Sequence, residues 1–76
     1  MGGGPRRRLA GVGMTPADYR AALAILGLSV EQAGVWLGVS RRTAYNYASE
    51  GPTPPAARAI RLLLDMTPED RERALR

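Results

Sequence analysis

Cysteine and histidine are both absent from the 76-residue chain. Without cysteine there is no disulfide staple and no thiolate chemistry; without histidine the usual zinc ligand and the commonest general base are missing too. Lysine is also absent: all 11 basic residues are arginine, against 7 acidic ones, for a net charge of +4. No apolar run approaches the length of a bilayer span, and none follows the N-terminal arginines as a signal peptide requires. No segment alternates apolar and polar residues long enough to make a strand, so the chain reads as all-α. What remains is one domain at most. Its apolar fraction of 45% is ordinary for a globular protein, and it has to hold together by packing, capping and association.

The arginine bias, with abundant Ala, Gly and Pro, fits a GC-rich bacterial or phage genome. Arginine is also the side chain suited to phosphate and guanine recognition, although a basic balance alone does not specify nucleic acid. Residues 1–13, MGGGPRRRLAGVG, have no helical or strand period and read as a flexible basic arm. Arg6, Arg7 and Arg8 suit a minor groove or the phosphates beside a main contact. A remnant upstream of an internal start at Met14 is an equal reading of the same stretch. Residues 14–76 read as the folded domain.

From Thr15 the chain is punctuated by helix starts. Thr15-Pro16-Ala17-Asp18 offers a Thr cap, a Pro in the first turn and an acid behind it, and Tyr19, Ala22, Leu23 and Leu26 follow at helical spacing up to Gly27. Ser29-Val30-Glu31-Gln32 fits a capping box, opening a short helix through Leu37. Gly38 and Val39 make a tight corner, and Ser40 caps a third helix running to about Ser49. Thr53, after a Gly/Pro turn, caps a fourth helix with Ala56, Ala59, Ile60 and Leu63 on one side. Thr67-Pro68-Glu69-Asp70 repeats the first cap and opens a short fifth helix toward Arg76. Two short helices joined through a glycine corner is the helix-turn-helix arrangement. Gly38 supplies the positive φ of that corner, and Val39 plugs the angle between the helices. Gly34, mid-helix, costs about 1 kcal/mol relative to Ala; close approach of the third helix is the expected compensation.

The third helix has two unlike sides. Ala44, Tyr47 and Ala48 face the domain, whereas Arg41, Arg42, Tyr45, Asn46 and Ser49 face away. Arg reads guanine O6 and N7 bidentately and Asn reads adenine N6 and N7; Tyr45 reaches a thymine methyl or a phosphate. Ser40, Thr43 and the helix N-terminus suit phosphate. A solvated bundle surface is the plain alternative. Arginines in a first helical turn oppose the helix dipole, however, and their placement is easier to understand if an anion arrives there.

On these residues the chain resembles the Cro/repressor-type (XRE-family) helix-turn-helix DNA-binding domain of phage and bacterial regulators. The resemblance spans residues 14 to 65. It runs from Leu28-Ser29, through Leu37-Gly38-Val39-Ser40-Arg41-Arg42-Thr43, to Tyr47, where the family often has Trp, and then a Gly/Pro turn before a last helix. It implies a lambda-repressor-like bundle of four to five helices with the third as recognition helix. Positions 41, 42, 45 and 46 match those that usually reach base edges, and 49 matches a backbone contact. The phosphate-touching Gln at the start of the second helix is Val30 here, with Gln32 two further on. Gly34 stands in place of the favoured Ala, and Ala44 in place of a branched aliphatic. Val35 and Trp36 occupy ordinarily polar positions: either they pack under the C-terminal segment, against Met66 or Leu75, or they form a subunit or partner interface, where Trp is a common anchor.

Sequence-specific double-stranded DNA binding is therefore the leading expectation, in a transcription regulator of phage, prophage or plasmid type, acting as a homodimer in the bacterial cytoplasm at the nucleoid. The second, of a different class, is a helix-turn-helix protein-interaction or packaging adaptor resembling a small terminase subunit. Catalysis, metal, cofactor, small-molecule ligand and membrane are not expected. Asp65, Glu69, Asp70 and Glu72 are interspersed with Arg71, Arg73 and Arg76, the pattern of an ion-paired helix surface.

Overall fold

Each helix among the described residues starts on a hydroxyl. In the computed structural model, which describes residues 14–76, the side-chain oxygens of Thr15, Ser29, Ser40, Thr53 and Thr67 each accept a backbone N–H three residues on. These caps open α1 (Pro16–Leu26), α2 (Val30–Leu37), α3 (Arg41–Glu50), α4 (Pro54–Asp65) and α5 (Pro68–Leu75). Each cap satisfies a donor that the helix itself cannot, and Pro leads α1, α4 and α5, where its missing N–H costs nothing. Ser29 makes the full capping box: it accepts from Gln32 N at 3.0 Å while its own N–H donates to Gln32 Oε1 at 2.8 Å. The described residues thus form an all-α bundle without a strand. No helix among them is long and apolar enough to cross a membrane. The arm carrying Arg6, Arg7 and Arg8 lies outside the described residues.

The core is small. Tyr19, Ala22, Leu23 and Leu26 of α1 meet Ala33 of α2 and Ile60 and Leu63 of α4, with Val30, Trp36, Leu37, Tyr47, Leu64 and Leu75 half-buried around them. Among the described residues only Tyr19, Ile60 and Leu63 are both large and fully enclosed. Tyr19 and Tyr47 meet edge to face, ring centroids 6.1 Å apart at 87°, so the inner side of α3 rests on α1 through an aromatic pair.

The connection from α2 to α3 is Gly38-Val39-Ser40. Gly38 sits at φ 79°, closing α2 in the left-handed region, and Val39 N–H returns to Gly34 O at 3.0 Å. Val39 is half-buried against Gly34, as a plug in the angle should be. Gly34 and Ala44 are both buried where the two helices meet, and a Cβ added at Gly34 would stand 2.5 Å from the Ala44 Cβ. The two small residues therefore belong together: the missing side chain at 34 is what lets α3 lie this close.

α5 buries none of its residues completely. It is attached by Ala74 and Leu75, which pack half-buried against the core, and by polar links to the bundle. Arg71 donates through Nε to Leu63 O at 3.1 Å and through Nη2 to Leu64 O at 3.2 Å and Met66 O at 3.5 Å. These carbonyls lie at the end of α4 and just beyond it, where a cation is favoured; Leu63 O also accepts the Met66 N–H at 3.2 Å. The sequence expectation of Arg71 in a surface ion-pair pattern is thus corrected. Arg73 does pair with Asp70, and Arg76 lies 4.0 Å from Glu72.

Candidate nucleic-acid interface

The caps and the Gly34–Ala44 contact fix which way α3 turns its sides. Ala44 is fully buried and Tyr47 and Ala48 half-buried, whereas Arg41, Arg42, Tyr45, Asn46 and Ser49 are exposed. These five side chains are brought to one surface, as the spacing implies. The backbone N–H groups at the start of α3 point out of the same end. α3 has no acid in its first turn, unlike α1, α2 and α5. Its positive end is thus loaded with two more positive charges, which repel each other and the helix dipole unless a negative group lies near.

One such group comes from the neighbouring helix. Glu31 of α2 lies with Oε2 3.6 Å from Arg41 Nε, and the same oxygen accepts the Tyr45 hydroxyl at 2.7 Å. The hydrogen bond to a carboxylate stabilises the protonated phenol and, with some desolvation and the Glu31 charge, raises the Tyr45 pKa above its ordinary value; the Arg41 charge pulls the other way. Glu31 was read from the sequence only as part of a capping box. Its partners lie 10 and 14 positions away on another helix, a separation that no local pattern encodes. Arg42 and the Asn46 carboxamide have no partner among the described residues, so both are available to a ligand.

The remaining sequence-predicted polar residues are in part committed within the chain. Ser40 Oγ accepts Thr43 N–H at 3.1 Å and donates to Thr43 Oγ1 at 3.1 Å, which leaves the hydroxyl proton of half-buried Thr43 uncommitted within the pair. Ser49 Oγ donates back to Asn46 O at 3.2 Å. Gln32 uses its carbonyl oxygen in the capping box and keeps its NH2 free for other contacts. Arg20 of α1, not singled out in the sequence, donates to Ala48 O near the end of α3 and ties that helix to α1.

Val35 and Trp36 part company. Trp36 is half-buried and donates its indole N–H to Ala74 O at 2.9 Å, so it secures α5. That is the packing alternative of the two considered for it, and it removes Trp36 as a free interface anchor. Val35 is 80% exposed at the rim of a shallow groove lined by Leu28, Gln32, Trp36, Leu75 and Arg76. Among the described residues no cluster of acidic side chains has metal-holding geometry. No protein-family model, curated protein or solved structure matches the chain.

Proposed function

We propose that this chain is a sequence-specific double-stranded DNA-binding protein, built on a Cro/repressor-type helix-turn-helix in which α2 and α3 are the paired helices and α3 enters the major groove. The observation that carries this reading is the outward side of α3. Two guanidinium groups, a carboxamide and a phenol share one exposed surface at the positive end of a helix, and no other described element covers it. Arg41 and Asn46 have the donor and acceptor geometry for guanine and adenine edges. Arg42 stands where the resemblance puts a base-edge contact, and Thr43 and the N-terminal amides of α3 suit phosphate, setting register without reading sequence. Ser40, Ser49 and Gln32 play a smaller part, because each is partly engaged within the chain.

The action is occupancy of a site, by occlusion or recruitment, in a regulator of phage, prophage or plasmid type working at the bacterial nucleoid. A domain this small covers little DNA, so two copies on half-sites about one helical turn (~34 Å) apart are required for useful affinity. Selection of bound sequences from a random duplex library tests the reading: a recovered motif with two-fold symmetry supports it, and a library that stays random after enrichment rejects it.

A packaging or interaction adaptor is the second reading, favoured by the exposure of Val35 beside the Leu75 groove. A salt titration separates the two. Affinity that falls steeply with salt and differs between duplexes belongs to the regulator; stable rings indifferent to sequence belong to the adaptor.

A further inference from the structure

Glu31 is out of place on a surface built for a polyanion. A carboxylate beside Arg41 is repelled by every phosphate that approaches, and it lowers the affinity for any duplex. It also contributes little to folding, because both partners of the ion pair are well exposed, with side-chain accessibilities of 76% for Arg41 and 49% for Glu31. Its chemical consequence therefore falls on the outer side of α3. Glu31 Oε2 lies 3.6 Å from Arg41 Nε, an ion-pair distance without a direct hydrogen bond, and an arginine drawn toward a carboxylate on that edge keeps its two terminal nitrogens as a fork for a second acceptor. Guanine offers two acceptors in a plane, O6 and N7; a phosphate can take the same fork on its two non-bridging oxygens, so the discrimination comes from the direction in which the fork is turned and from the offset charge. The same Glu31 oxygen receives the Tyr45 hydroxyl, so one carboxylate touches two of the outward side chains, one by a hydrogen bond and one by charge.

We infer that Glu31 is a specificity-determining residue of this interface: it pre-orients the Arg41 fork for guanine and offsets Arg41's charge against indiscriminate phosphate binding. The inference rests on the DNA-binding reading and deepens it. A side chain already held in its bound direction loses less freedom on contact, which favours the matched base. The offset charge weakens the unmatched complexes, where phosphate attraction supplies nearly all the affinity.

The test compares wild type with Glu31→Gln and Glu31→Ala on a duplex selected by the wild type and on a scrambled duplex of equal length, across a salt series. Circular dichroism checks that the variants keep their helicity. Glu31→Gln retains an acceptor for Tyr45 and loses the charge, so it remains informative if Glu31→Ala fails to fold. Both folded variants are expected to bind the scrambled duplex more tightly, with a salt slope steeper by about 0.9, the value of one more phosphate neutralised. The ratio of selected to scrambled affinity is expected to fall roughly tenfold, about what one bidentate base contact contributes. A Glu31→Gln ratio within about twofold of wild type overturns the inference while leaving DNA binding intact. A wild type that prefers no duplex overturns both.

Discussion

Asn46 and Arg41 are the side chains whose loss says most. Both are exposed on α3, and neither contributes to the core. Replacing either by Ala is expected to leave the circular dichroism spectrum unchanged and to relax preference at one base position by about 1–3 kcal/mol, measured by competition between duplexes differing at that position. Wild-type discrimination by both variants contradicts the assigned surface. Tyr19 raises a different question. It is fully buried, yet its hydroxyl has no partner among the described residues. Burial, and to a lesser degree Tyr47, raises its pKa. The neutral phenol is thus the form the fold prefers: its stabilisation is intact below the ordinary value of about 10 and is lost as pH climbs through the raised folded value. Tyr19→Phe is expected to raise stability by about 1 kcal/mol at neutral pH and to blunt the loss above pH ~10, read from urea midpoints. A clear fall at neutral pH shows instead that the hydroxyl has a partner, such as a buried water.

The meeting of α2 and α3 depends on two small residues, and it can be tested as a pair. Alanine is the better helix former by about 1 kcal/mol, but a methyl at position 34 collides with the Ala44 Cβ, 2.5 Å away, and neither atom sits on a flexible chain. Gly34→Ala is therefore expected to destabilise by about 1–3 kcal/mol. Adding Ala44→Gly returns the space, so the double variant is expected to be more stable than the sum of its parts by roughly 1 kcal/mol; strict additivity in urea unfolding contradicts this account of the crossing. The docking of α5 has a reporter on α2, because the chain has 1 Trp and its indole donates to Ala74 O. Arg71→Ala removes the donor to three carbonyls at the end of α4 and just beyond it, and it is expected to shift Trp36 emission to the red as α5 loosens. Unchanged emission means that Trp36 and the Ala74 carbonyl hold that helix without Arg71.

Across the molecule, what could be read from sequence divides by distance along the chain. The five caps, the Gly38 corner and the inner side of α3 depend on residues three or four apart, and the structure has them where spacing implied. Trp36 lies between the two cases. Its link to Ala74 spans 38 positions, and an apolar side chain at an outward position suggested packing without naming the acceptor. Glu31 with Tyr45, and Arg71 with the end of α4, were not legible, because each interaction depends on how two helices are set against each other. Thus sequence alone specified the outward residues of α3 but not the carboxylate that contacts two of them. The central claim is that this side of α3 meets base pairs, and amide and side-chain shift mapping of the labelled protein, titrated with a selected duplex, addresses it most directly. The largest changes are expected at Arg41, Arg42, Tyr45 and Asn46, with Glu31 following as its partners move. Changes centred instead on Val35 and Leu75, or none at all, would contradict it.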